Sequence, residues 1–262
     1  MTIDIFQIDA FTDKLFGGNP AAVCPLKQWL PDNALLNIAK ENNLAETAFF
    51  VHKENNLFHL RWFTPEIEMD LCGHATLASA YVIFNDINFK SDEVIFDSMS
   101  GKLAVKKVGN QLEINFPSRP PSPSQLPEVI SKALSIQPVE IFKARDYVLV
   151  YSSENDIKNL KVSASVLNEI NIDPGGIIVT SEGKNSDFVS RFFTPGASVF
   201  EDPVTGSAHC TLVPFWANRL NKNELHAFQI SERKGELFCK LIEDRVTIKG
   251  SAVKYLQGKI VV

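Results

Sequence analysis

No stretch of this chain approaches the roughly 18 consecutive apolar residues that a membrane-spanning helix needs, so no membrane partner is expected. Basic charge is not in surplus: 26 Lys and Arg stand against 31 Asp and Glu, a formal net charge of −5. Nothing here attracts a polyanion, which removes nucleic acid from the candidate partners. Cysteine is sparse. Cys24, Cys72, Cys210 and Cys239 lie far apart and form no CxxC pair, which excludes a zinc ribbon and a disulfide framework. The N-terminus carries acids and no basic segment, so no signal peptide is expected and the chain reads as cytoplasmic with free thiols. GxGxxG opening a helix, GxxxxGK[ST] and HExxH are all missing, and no Cys/His cluster has metal spacing. Gly17-Gly18-Asn19-Pro20 reads as a turn, not a phosphate loop.

What is present is a chain of 262 residues, 45% hydrophobic and 22% charged. Such a composition buries enough apolar surface to offset its ordering entropy, which excludes disorder. The 19 Phe, against 4 Tyr and 3 Trp, point to a dry aromatic core. The length fits one large domain or two small ones.

An internal repeat favours two. Arg61-Trp-Phe-Thr-Pro65 is echoed by Arg191-Phe-Phe-Thr-Pro195, an offset of 130. Each copy leads to a second element, Asp70-Leu-Cys-Gly73-His74-Ala75 and Asp202-Pro-Val-Thr-Gly206-Ser207-Ala208, with the glycine offset moved to 133. Fainter echoes match Phe49-Phe-Val51 to Ile177-Ile-Val179 at 128, and Ser100-Gly-Lys-Leu-Ala-Val105 to Lys234-Gly-Glu-Leu-Phe-Cys239 at 134. Slowly rising offsets are what a duplicated fold with loop insertions produces. The expected lobes are 1–116 and 124–251, joined by a Pro-rich linker at 117–123, with the final strand 252–262 free to return to the first lobe.

Alternating segments such as 3–8 and 58–63 predict half-buried strands, and 94–96, 103–105 and 112–116 predict antiparallel hairpins. Helical spacing appears over 33–42. The segments 74–84 and 207–217 have almost no polar face, the mark of buried helices. The predicted fold is therefore α+β, with two pseudo-symmetric lobes, each an antiparallel β-barrel-like sheet around a central hydrophobic helix.

Both buried helices begin just after a glycine, Gly73 and Gly206. A helix start leaves N–H groups unpaired at the positive end of the dipole, and glycine lets a ligand approach, so both starts suit a carboxylate. Two lobes pointing both starts into one cleft would make a site for a small carboxylate-bearing molecule. Groups that move protons flank these starts: His74 at the first, Asp202 and Ser207 at the second. Glu46 lies before the Phe-Phe-Val strand, while its counterpart falls near Asp173-Pro-Gly-Gly, where there is no glutamate. An acid in one lobe only is a candidate general acid/base, since net proton transfer needs asymmetry.

Four blocks together carry a family resemblance: Ile8–Thr12 with Phe16-Gly-Gly-Asn-Pro-Ala-Ala-Val23; Asn43-Leu-Ala-Glu-Thr47; Arg61–Pro65 with Asp70–Thr76; and Glu201-Asp-Pro-Val-Thr-Gly-Ser-Ala-His209. The chain resembles, over nearly its whole length, the PhzF-like (phenazine biosynthesis) isomerases, a family similar in fold to diaminopimelate epimerase. The resemblance implies a cofactor-free homodimeric enzyme without a metal. A glutamate at the position of Glu46 shuttles the proton in isomerising a dihydro-hydroxyanthranilate. It further implies that His74 and Asp202 assist, and that Asn19, Gly73, Gly206 and Ser207 bind the substrate.

Two other readings stay beside this one: a small-molecule binder on the same scaffold, and a two-thiol epimerase. Cys72 fits one thiol position of the latter, but Thr205 stands at the other and is no base at neutral pH. Ser207, His74 and Asp202 would supply a hydrolase triad, yet no GxSxG elbow presents the serine, so isomerase ranks above hydrolase.

Overall fold

The computed structural model describes residues 1–87, 89–172 and 175–262, so Asp173 and Pro174 lie outside the described residues. The fold is mixed α/β, with extensive sheet and few helices. Two compact units divide the chain: Met1–Phe116 with Thr247–Val262, and Pro117–Val246. Among the described residues no helix is long and apolar enough to cross a membrane.

The first unit runs β1 (Thr2–Ala10), β2 (Asn19–Leu26), α1 (Asp32–Asn42), β3 (Glu46–Glu54), β4 (Leu57–Phe63), β5 (Glu68–Met69), α2 (Gly73–Asn85), β6 (Glu93–Ser98), β7 (Gly101–Val108) and β8 (Gln111–Pro117). β1 pairs antiparallel with β2, placing Ala10 opposite Asn19. β2 pairs parallel with β3, and β3 antiparallel with β4, with Phe49 opposite Arg61. β4 continues parallel to β6, then antiparallel hairpins lead to β7 and β8.

The second unit runs β9 (Ser122–Pro123), α3 (Glu128–Ala133), β10 (Glu140–Lys143), β11 (Tyr147–Val150), α4 (Glu154–Asn159), α5 (Ala164–Leu167), β12 (Ile177–Glu182), β13 (Phe188–Phe193), β14 (Glu201–Asp202), α6 (Gly206–Leu220), β15 (Glu224–Gln229) and β16 (Gly235–Ile242). The chain passes back to the first unit through β17 (Arg245–Gly250), and β18 (Ala252–Val261) pairs along β1. Pairings repeat those of the first unit: β10–β11 antiparallel, β11–β12 parallel, β12–β13 antiparallel, β13–β15 parallel, β15–β16 antiparallel.

Two features differ from the sequence expectation. The sheets are not purely antiparallel, because each unit has two parallel pairings, each bridged by a helical crossover. Residue alternation reports which face is buried, not the direction of the neighbouring strand. The early offset is also 130 rather than 128: Phe49 faces Arg61 as Val179 faces Arg191.

The repeated Arg-x-Phe-Thr-Pro motif has a physical basis. Arg61 forks onto Glu68 of β5, Nε to Oε1 at 2.7 Å and Nη2 to Oε2 at 2.6 Å. Arg191 forks onto Glu201 of β14 in the same way, both at 2.8 Å. Each guanidinium also lies over the Phe two residues on, 5.1 Å from Phe63 and 5.0 Å from Phe193. Their remaining nitrogens reach a helix of each unit's first parallel crossover: Arg61 Nη1 meets Asp32 of α1, and Arg191 Nη1 donates to the carbonyls of Ile157 and Leu160 at the end of α4. The forks thus fix the short strands that lead into α2 and α6.

α2 is buried along nearly its whole length. Leu77, Val82, Ile83 and Phe84 anchor it, each burial contributing about 1.5–3 kcal/mol. Its buried hydroxyls are satisfied within the helix: Thr76 Oγ1 donates to the Cys72 carbonyl at 2.5 Å and Ser79 Oγ to the Ala75 carbonyl at 2.7 Å. α6 contains Pro214, which cannot donate to the Cys210 carbonyl one turn earlier. The Arg119 N–H takes that place at 2.9 Å. All four cysteines are free and buried.

Candidate active site

Glu46 begins β3, His74 is the second residue of α2, and Cys72 is that helix's N-cap. His74 Nε2 lies 3.1 Å from Glu46 Oε2. On the other side of the ring, Nδ1 receives Asn19 Nδ2 at 3.1 Å and lies 3.5 Å from Cys72 Sγ. Asn19 is fully buried and His74 only 4% exposed, whereas Glu46 is partly open. Asn19, Glu46, Gly73 and His74 therefore come together in the first unit. Gly18 makes the approach to Asn19 possible, since its φ is +60° and a Cβ there would meet the Ala10 carbonyl at 2.1 Å.

Burial pushes the Cys72 thiol up to about 11, with the Glu46 charge adding to the effect. Burial works to lower His74, but the Cys72 and Glu46 side chains beside it outweigh that and hold the imidazole well above its ordinary range.

The Glu46, Cys72 and His74 ligand atoms lie within 4.8 Å of one another, the spacing of a metal site. Their arrangement does not suit one ion. Glu46 faces Nε2 and Cys72 faces Nδ1, so a single metal would require the ring to turn.

Asp202, Gly206 and Ser207 belong to the second unit. Asp202 Oδ2 accepts from Thr205 Oγ1 at 2.5 Å. Gln229, fully buried, accepts from the Thr205 N–H at 2.8 Å and donates to the Asp202 carbonyl at 2.7 Å. Ser207 Oγ accepts from Arg145 Nη2 at 3.2 Å. Arg145 sits in the β10–β11 turn beside Asp146, whose Oδ1 also accepts the Gly176 N–H at 2.8 Å. Neither Arg145 nor Gln229 stands out in the sequence: each is a single polar residue outside any motif, brought to the helix start by its hairpin or strand.

The registers assign counterparts. Thr47 opposite Phe63 corresponds to Ile177 opposite Phe193, so Glu46 corresponds to Gly176. A Cβ at Gly176 would lie 2.3 Å from the Phe192 ring, so a side chain there would force that ring to shift. Trp62 opposite Met69 corresponds to Phe192 opposite Asp202, which leaves Asp202 without an acidic counterpart. Cys72 and Thr205 are both N-caps, the first thiol position thus matching a threonine.

A family profile described as phenazine biosynthesis-like protein matches residues 8–258. The chain is 45% identical over 260 residues to an uncharacterised isomerase of Pseudomonas aeruginosa, covering 99% of each chain. It superposes with a TM-score of 0.95 on the crystal structure of a phenazine biosynthesis protein of the PhzF family from Enterococcus faecalis, 42% identical, with 100% of both chains covered. A predicted epimerase from Pseudomonas aeruginosa shares the fold at 16% identity and a TM-score of 0.75, over 99% of each chain. The chain belongs to the phenazine biosynthesis-like protein family and is, like its relatives that carry the name, an isomerase.

Proposed function

We propose that the protein is a cofactor-independent isomerase that moves a proton between two carbons of a small carboxylate-bearing substrate, cyclic or amino-acid-like, by glutamate general acid/base catalysis. The reaction is similar to dihydro-hydroxyanthranilate isomerisation. Glu46 takes the proton from one carbon, the electron pair shifts along the substrate, and the same carboxyl returns the proton to a second carbon. Atoms and charge balance with no external reductant. His74 lies against the carboxylate and assists the transfer. The helix-start amides at Gly73 and Gly206 and the Ser207 hydroxyl are read as carboxylate-binding groups, Arg145 adds positive charge beside Ser207, and Asp202 orients the substrate. Asn19 stands behind His74. The reading takes each unit as a barrel-like lobe around its buried helix. It also takes the protein as cytoplasmic, from its N-terminus and free thiols, and, on family resemblance alone, as a homodimer.

The observation that carries this reading is the contact of Glu46 with a buried histidine at a helix start, where the other unit holds a glycine whose Cβ would crowd the Phe192 ring. A two-thiol epimerase has less support, because Cys72 is held protonated and Thr205 occupies the partner position.

The test is deuterium wash-in from heavy water into a panel of small carboxylates, with binding followed by calorimetry. Wild type is expected to exchange a bound ligand, and Glu46→Gln to bind it but exchange about 100- to 10,000-fold more slowly. Exchange by Glu46→Gln at the wild-type rate overturns the assignment. Binding without exchange in wild type supports a binding protein instead.

A further inference from the structure

We propose that Asn19 is a positioning residue for His74: its amide holds the imidazole in the form that carries a proton on Nε2, aimed at Glu46. The inference rests on reading Glu46 and His74 as the proton-moving pair. It differs from the substrate contact expected of Asn19 from the sequence.

The geometry is one-sided. An amide NH2 can only donate, and Asn19 Nδ2 stands 3.1 Å from Nδ1. The Cys72 thiol, protonated at neutral pH, is 3.5 Å from that same nitrogen. The amide donor facing Nδ1 calls for a lone pair there, which places the ring proton on Nε2. Nε2 in turn faces Glu46 Oε2 at 3.1 Å. That close approach sets one carboxylate oxygen against the imidazole and leaves Oε1 to meet the substrate. Asn19 is fully buried, which keeps its side chain out of solvent. Its place is set by the backbone: Asn19 opens β2 opposite Ala10, just after the left-handed Gly18, and the preceding loop is held by the Phe16 N–H donating to Asp9 Oδ2 at 3.0 Å.

The second unit offers a contrast. Its first hairpin closes at Lys143 opposite Tyr147, and from that turn Arg145 bonds Ser207. In both units, then, the hairpin at the start of the sheet supplies the side chain that holds the second residue of the buried helix. Only in the first unit is that residue one whose protonation state has to be chosen. The charged and titratable groups that face His74 are Glu46 from β3 and Cys72 from the helix cap. The Glu46 carboxylate favours a second ring proton, while the Asn19 amide disfavours it at Nδ1.

The experiment is nitrogen-detected NMR of the full protein with 15N-labelled histidine, titrated with pH. No substrate is needed, so failure here is separable from failure of the isomerase reading. In wild type, the neutral form of His74 is expected to show a protonated Nε2 and a bare Nδ1. Asn19→Asp places a carboxylate at Nδ1. It should move the proton onto that nitrogen and raise the titration midpoint by about one pH unit or more. Cys72→Ser, which keeps a donor at Nδ1, should leave the Nε2–H form in place. A wild-type spectrum with the proton on Nδ1 overturns the proposal, even if the Asn19 variant fails to fold. So does an Asn19→Asp spectrum unchanged from wild type.

Discussion

The two units of this protein use the same strand order, the same parallel and antiparallel pairings and the same arginine fork, yet they differ where the buried helices begin. In register Glu46 corresponds to Gly176, His74 to Ser207, Cys72 to Thr205, and Met69 to Asp202. The shared features do structural work: the forks hold short strands, and the apolar helices fill the core. The differences fall on residues that carry or accept protons. The features the two units share are those that folding requires of each. Each half was left one acid that the other lacks.

Two histidines near the helix starts sharpen the comparison most. His74 is held up by the Cys72 and Glu46 side chains beside it. His209, in the first turn of α6, is lowered from 6.5 to about 4, because burial outweighs the help of its bond to the Thr205 carbonyl. In the interval between those values the folded protein binds fewer protons at His209 than the unfolded chain. Stability present above pH 6.5 should therefore be lost as pH falls towards 4, by up to about 3 kcal/mol. The His74 contribution runs oppositely: it is complete below pH 6.5 and fades as pH rises through the elevated folded value. Urea unfolding across this range, in wild type and His209→Gln, checks the assignment. The variant should show a shallower acid limb, and an unchanged limb would refute it.

A smaller effect is expected at Gly176, the counterpart of Glu46. Gly176→Ala drives a methyl into the buried Phe192 ring and should cost about 1–3 kcal/mol in a denaturant titration. A neutral result would mean that the second unit could have carried a side chain there, which would weaken the contrast. The smallest effect concerns the forks themselves. Lysine cannot reproduce a bidentate bond, so both Arg61→Lys and Arg191→Lys should destabilise. Arg191→Lys should cost more, by about 1 kcal/mol, because Arg191 alone also satisfies the Ile157 and Leu160 carbonyls. Equal losses in the two variants would show that the forks, not the extra carbonyl bonds, set the energetics.

Much of this was legible in the residues. The helix predicted over 74–84 is α2, Gly73–Asn85, and that over 207–217 is the core of α6, because an apolar surface all round a helix has only one place to go. The strands around 58–63 and 94–116 were likewise readable from their alternation. The parallel pairings were not, since they depend on which strand a crossover returns to. The 128 offset failed for a related reason: a short apolar run matches another at several shifts, and only the ladder opposite Arg61 and Arg191 selects 130.

The sequence by itself determined the kinds of group available: a glutamate without a partner in the repeat, a histidine after a helix-start glycine, and four thiols in apolar surroundings. These follow from composition and local pattern, which act over a few residues. The tertiary structure decided what those groups touch. Asn19 and Glu46 reach opposite nitrogens of one imidazole from strands 55 and 28 residues before it, and Arg145 reaches Ser207 across 62 residues. Contacts at that range are set by strand register and turn length. A register shift of one residue would turn Glu46 to the other face of its sheet, and no local pattern around His74 records that choice.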